Sequence, residues 1–99
     1  MQQQLPTSAH SFLKTSAKRL TYAQRAQLCS NPVAKRLFAL MESKKTNLVA
    51  SLDVTRKHEL LELADAVGPY VCMIKTHIDI VSDFDWSLIT QLQQLAAKH

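Results

Sequence analysis

Apolar residues along this chain alternate between two spacings. From Val33, apolar side chains at Val33, Leu37, Leu40 and Met41 recur at i, i+4, i+7 and i+8, which is one face of a helix. Asn31-Pro32 opens that helix, with Asn as the capping residue and Pro at the first helical position. Lys44-Lys45 closes it, cations being favoured at a helix C-terminus. Just upstream, Thr21 followed by Gln24 matches a capping box and predicts a short helix to about Cys29. Asn47 to Val54 (NLVASLDV) is a short apolar run without helical spacing. It predicts a strand buried on both faces, the parallel-sheet kind, with Ser51 and Asp53 near its C-terminal end.

Helical spacing returns over Arg56 to Val67, with Leu60, Leu61, Ala64 and Val67 on one face. Gly68-Pro69 should stop it, Gly supplying a left-handed residue and Pro being unable to continue. Tyr70 to Ile74 (YVCMI) predicts a second buried strand with Lys75 at its end. Trp86 to Lys98 predicts another helix, with Leu88, Ile89, Leu92, Leu95 and Ala96 inward. Strands alternating with helices imply an α/β fold built from right-handed βαβ units on a parallel sheet. Residues 1–20 show no periodicity and are rich in Gln, Ser, Thr and Pro, so they are expected to be a flexible leader before an ordered region over 21–99. Two parallel strands, each apolar on both faces and each a sheet edge, make a poor domain. The chain is therefore expected to be the N-terminal piece of a larger α/β protein rather than a complete two-stranded one.

Composition narrows the chemistry. The 99 residues are 46% hydrophobic and 20% charged, and no apolar run approaches the length needed to span a bilayer. Two cysteines, Cys29 and Cys72, form no CxxC pair, and the expectation is a reduced, intracellular protein with Cys72 as a core residue. The single glycine, Gly68, excludes a glycine-rich phosphate loop. The net charge of +4 is uneven: residues 1–41 hold six Lys and Arg and no acid, while residues 42–99 hold six cations against all eight acids. A basic, acid-free start is compatible with a transit peptide or a nucleic-acid arm. Scattered cations with few aromatics favour a solvated leader followed by a helix with a basic outer face.

In parallel α/β proteins the functional groups gather at the C-terminal ends of the strands. That rule selects Asp53 and Lys75, then Thr76, His77 and Asp79. A carboxylate there accepts hydrogen bonds from substrate hydroxyls, and an ammonium donates and carries positive charge toward an anion. A structural ion pair between Asp53 and Lys75 is the plainer alternative. His77 has the chemistry of an acid/base group or a metal ligand, but histidines at 10, 58, 77 and 99 lack ligand spacing, so no metal is expected.

The block KKTNLVASLDVTRKHELLELADAVGPYVCMIKTHIDIVSDF resembles the start of the eukaryotic orotidine 5′-phosphate decarboxylases. The pieces carrying the resemblance are Ser51-Leu52-Asp53-Val54, Glu59 to Pro69, and Ile74-Lys75-Thr76-His77-Ile78-Asp79-Ile80, with Asn31 to Lys35 upstream and Asp83-Phe84 downstream. The likeness runs from about Thr21 to His99. It implies the N-terminal portion of a (β/α)8 TIM barrel, the leading helices plus the first two β/α units. It implies a carboxy-lyase of UMP biosynthesis that acts as a cytoplasmic homodimer, uses no metal or organic cofactor, and takes no nucleic acid or membrane as partner. Asp53 resembles an aspartate that hydrogen-bonds a ribose hydroxyl. Lys75 resembles the lysine that contacts the ribose and opens an alternating Lys–Asp–Lys–Asp network, and Thr76 and His77 complete the substrate-contact segment. The family's Asp-x-Lys-x-x-x-Asp element, with its proton-donating lysine, and its late phosphate-binding glycine and arginine have no counterpart in these residues, so the chain alone is expected to be inactive. Two other readings stay open: a truncated, non-catalytic protein acting by association, and a basic helical nucleic-acid binder over residues 14–36.

Overall fold

A computed structural model describes residues 19–99, in two compact units that divide between Ser43 and Lys44. The leader expected over residues 1–20 falls outside the described residues except for Arg19 and Leu20.

In the first unit, helix α1 spans Tyr22–Leu28 and helix α2 begins at Pro32, running to Lys44. The capping box of α1 is complete. The Gln24 amide N–H donates to Thr21 Oγ1 at 3.1 Å, and the Thr21 N–H donates to Gln24 Oε1 at 2.8 Å. Asn31 Oδ1 accepts from the amides of Val33 at 2.8 Å and Ala34 at 3.3 Å, so the Asn-Pro pair opens α2 as expected. Tyr22 stacks on Phe38 with ring centroids 6.2 Å apart, joining the two helices. The apolar face expected for α2 included Val33, but that side chain is 69% exposed. At the end of α2, Lys45 adopts φ 57°, so a lysine and not a glycine takes the left-handed position there.

The second unit is a βαβ arrangement followed by one more helix. Strand β1 (Val49–Leu52) pairs in parallel with β2 (Met73–Thr76), in the register Val49↔Met73, Ala50↔Ile74, Ser51↔Lys75 and Leu52↔Thr76. Between them runs helix α3 (Lys57–Val67), and after β2 comes helix α4 (Trp86–Lys98). Both strands are shorter than expected. Tyr70 lies in a 3-10 turn, Gly68–Tyr70, and Val71 and Cys72 form a buried approach to β2.

One core joins these elements: Leu52 from β1, Leu60 and Ala64 from α3, Val81 from the loop after β2, and Leu88 from α4. Ala50, Ile74, Leu92 and Leu95 pack against it. Alternation along a strand therefore sends Ala50, Leu52 and Ile74 toward the helices. The other face carries Val49, Ser51, Met73 and Lys75, all exposed. This corrects the expectation of strands buried on both faces: helices cover one side only among the described residues. Ala96, expected inward on α4, is exposed, and the inward stripe is Leu88, Leu92 and Leu95.

Gly68 also departs from expectation. Its φ of −48° is right-handed, so it is no left-handed cap. Its need is steric, because a Cβ built there would lie 2.7 Å from His99 Cγ. Beside it, Lys44 Nζ donates to the carbonyls of Gly68 at 2.7 Å and Val71 at 2.9 Å, satisfying acceptors that the end of α3 and the 3-10 turn leave free.

Candidate functional site

The C-terminal ends of β1 and β2 lie side by side, because the strands are parallel and in register from Val49↔Met73 to Leu52↔Thr76. Asp53 and His77 each follow the last paired residue of their strand. Their side chains approach, His77 Nε2 standing 3.9 Å from Asp53 Oδ1, and both are more than half exposed or close to it, at 50% and 58%. Lys75 pairs with Ser51 across the sheet and sits on the face away from the helices. Thr76 is half-buried opposite Leu52, on the side that faces α3 and α4. The ion pair between Asp53 and Lys75, the plainer alternative for these residues, does not form: Asp53 meets His77 instead, and no ion pair among the described residues engages Lys75. The reason is the register. Lys75 lies one residue before the strand end and Asp53 one residue after it, so their backbones are offset along the sheet. Asp79 is exposed within a 3-10 turn, Ile78–Ile80, just beyond His77.

Two loops carry these groups, and a set of contacts that periodicity and spacing did not single out binds one loop to the other. Thr55, two residues past Asp53, accepts at its carbonyl from the Ser82 amide at 2.8 Å and from Ser82 Oγ at 3.1 Å. The Lys57 amide donates to Asp83 Oδ1 at 2.8 Å. Lys57 Nζ donates to Asp85 Oδ2 at 2.8 Å and to Ser87 Oγ at 3.3 Å. Asp85 also caps α4, its Oδ1 accepting from the Leu88 amide at 3.2 Å and from Ser87 Oγ. These bonds tune the acids. The Lys57 ammonium, with Ser87 beside it, lowers Asp85 to about 2, and the Lys57 backbone N–H lowers Asp83. One local sign of this was present: helix α3 starts at Arg56-Lys57, and Arg56 supplies no side-chain cap.

At the far end of α3 a second polar group forms. Asp65 Oδ1 meets Lys98 Nζ at 3.0 Å and His99 Nε2 at 2.8 Å, and these two partners hold its carboxyl below the usual range. Among the described residues no group of three or more His, Cys, Asp and Glu side chains is arranged to hold a metal ion. No helix among them is long and apolar enough to cross a membrane.

The family model described as orotidine 5′-phosphate decarboxylase / HUMPS family matches residues 46–99, which include both strands and both loops. Over 85 residues the chain is 56% identical to an orotidine 5′-phosphate decarboxylase of Schizophyllum commune, covering 86% of this chain and 31% of that protein. It is 60% identical over 79 residues to the protein of that name from Phycomyces blakesleeanus, and 53% identical over 79 residues to that from Schizosaccharomyces pombe. In both, the match covers 80% of this chain and 30% of the relative. The chain thus spans about three-tenths of the length of the curated relatives it matches.

Proposed function

Because the chain belongs to the orotidine 5′-phosphate decarboxylase / HUMPS family, we propose that it supplies the first two strands of a (β/α)8 barrel that converts orotidine 5′-phosphate to UMP. The observation that carries this reading is the match over residues 46–99, which contains Asp53, Lys75, Thr76 and His77 at adjacent strand ends.

In this reading the helix-free face of the sheet, with Val49, Ser51, Met73 and Lys75, lines the interior of the barrel. Lys75 has no ion-pair partner among the described residues, so its charge is free to face an anionic substrate. Loss of CO2 from the pyrimidine leaves negative charge on a ring carbon. Positive charge fixed beforehand lowers the energy of that transition state more than that of the bound substrate. Asp53 accepts from a ribose hydroxyl, Lys75 donates to the ribose and joins the charge network, and Thr76 and His77 extend the contact surface. Thr76 lies on the side of its strand that faces the helices and so contributes from the rim of the site. Proton delivery to the ring falls to a lysine outside these residues. The full assembly is a cytoplasmic homodimer working without metal or organic cofactor.

The test is a fusion in which residues 21–99 replace the matching part of the Schizophyllum commune protein. Release of CO2 from orotidine 5′-phosphate with formation of UMP is the expected result. A folded, homogeneous fusion that binds no UMP and releases no CO2 overturns the reading.

A further inference from the structure

Strand pairing ends at Leu52↔Thr76, so it does not hold Asp53 or His77, which lie beyond it. Their own contact, at 3.9 Å between exposed groups, is too long and too wet to hold two loops together. What joins the loops is the set of bonds one step further along: Ser82 on the Thr55 carbonyl, Asp83 on the Lys57 amide, and Lys57 Nζ on Asp85.

The Asp83 contact has a specific physical role. An α-helix leaves its first amides without partners, and usually a residue just before the helix supplies the acceptor. Helix α3 has no such cap, since Arg56 offers no acceptor. Asp83, 26 residues later in the chain, puts a carboxylate against the first helical N–H instead. A negative group at that end also suits the helix dipole. The start of α3 is therefore capped by the loop that follows β2. The same helix returns the contact through Lys57 Nζ to Asp85, which in turn caps α4. The start of α3 is thus capped by the loop after β2, and the Asp85 that caps α4 is in turn held by the start of α3.

We propose that Asp83 and Lys57 are positioning residues: together they latch the two strand-end loops into one body and so set the separation of Asp53 from Lys75 and His77 at which substrate is received. This rests on the function proposed above and adds to it a pair of residues that need not touch substrate. If the latch opens, the loop after β1 moves independently of the loop after β2. The enzyme then spends binding energy on ordering them, which shows first as weaker substrate binding.

The fusion protein is the vehicle for the test, with three variants: Asp83→Ala, Asp83→Asn and Lys57→Met. Asn keeps an oxygen able to accept the Lys57 N–H, whereas Ala does not. Asp65→Asn, at the other end of α3, is the control. Asp83→Ala should speed amide exchange about tenfold in residues 53–57 and 77–83 together, as expected for losing a helix cap that also ties two loops. Lys57→Met should do the same. KM for orotidine 5′-phosphate should rise by about the same factor with a smaller fall in kcat. Asp83→Asn should restore most of both, and Asp65→Asn should change neither. Faster exchange confined to the first turn of α3, or an Asn variant as impaired as the Ala variant, overturns the latch. An unchanged KM in a variant whose loops exchange faster overturns its positioning role. Exchange needs no turnover, so this inference and the proposed decarboxylation fail separately.

Discussion

Lys75 and Asp53 are exposed, and neither belongs to the core or to an ion pair with the other. Their removal should cost little stability, within about 0.5 kcal/mol for surface positions. In the fusion, Lys75→Ala should leave the melting temperature nearly unchanged while kcat falls by orders of magnitude, each tenfold being about 1.4 kcal/mol of lost transition-state binding. Asp53→Ala should mainly raise KM. Steady-state kinetics and thermal unfolding on the same samples check both, and a lowered melting temperature with unchanged kcat/KM would remove these residues from the site. A second prediction concerns pH. Asp85 is lowered from 3.8 to about 2 by the Lys57 ammonium. A carboxyl with a depressed folded-state value contributes stability that is complete above 3.8 and is lost as pH falls through about 2. Asp83 and Asp65 are shifted in the same direction and add to the same loss. Denaturant midpoints should therefore fall between pH 5 and pH 2, and Lys57→Met should flatten that fall, taking from Asp85 its main partner.

At the scale of elements, the helices are held by a few side chains of high burial. Leu60 on α3 and Leu88 on α4 are both at 0% exposure. Leu60→Ala or Leu88→Ala should cost about 2–5 kcal/mol, the transfer energy of the lost atoms plus a residual cavity. Ala96→Ser on the same helix as Leu88 should stay within about 0.5 kcal/mol, because Ala96 faces outward. Chemical denaturation of the fusion separates the two cases. A large effect at Ala96 would mean that the inward stripe of α4 is wider than Leu88, Leu92 and Leu95. Gly68 illustrates how a local rule and a packing need can coincide on one residue for different reasons. The position demands glycine, but the demand comes from the His99 ring against it and not from a left-handed turn.

At the scale of the molecule, the helix-free face of the sheet dominates behaviour. Val49 at 50% exposure, Met73 at 46% and Leu48 at 61% lie on or beside two strands whose outer edges are unpaired among the described residues, with Tyr70 and Ile78 nearby in the chain and also exposed. Unpaired edges beside apolar side chains template association. The 99-residue chain by itself should therefore self-associate, and sedimentation should show a mass that rises with concentration. The fusion, if the barrel proposed above forms, should instead give one species. A monomeric, cooperatively unfolding 99-residue chain at all concentrations would mean that the exposed face needs no cover, and would count against the barrel reading.

The sequence by itself determined where the helices start and the centre of the face that α3 and α4 bury, though not Val33 or Ala96, which are exposed. Thr21 with Gln24, Asn31 with Pro32, and the spacing of Leu60, Ala64 and Leu88 are signals read within a few residues, and the observed elements follow them. It determined the parallel pairing as well, because a strand, a helix and a strand in that order leave few other topologies. The ends of the strands and the exposure of their outer face were decided by tertiary structure. An apolar run looks alike whether helices cover one side or both. Tertiary structure also decided the partner of Asp53, since register settles which side chains meet, and a two-residue offset along the sheet leaves Lys75 beside Ser51 and brings His77 to Asp53. The cap of α3 belongs to the same class. Asp83 lies 26 residues from the amide it serves, and no local pattern connects them until the chain folds the second loop onto the first.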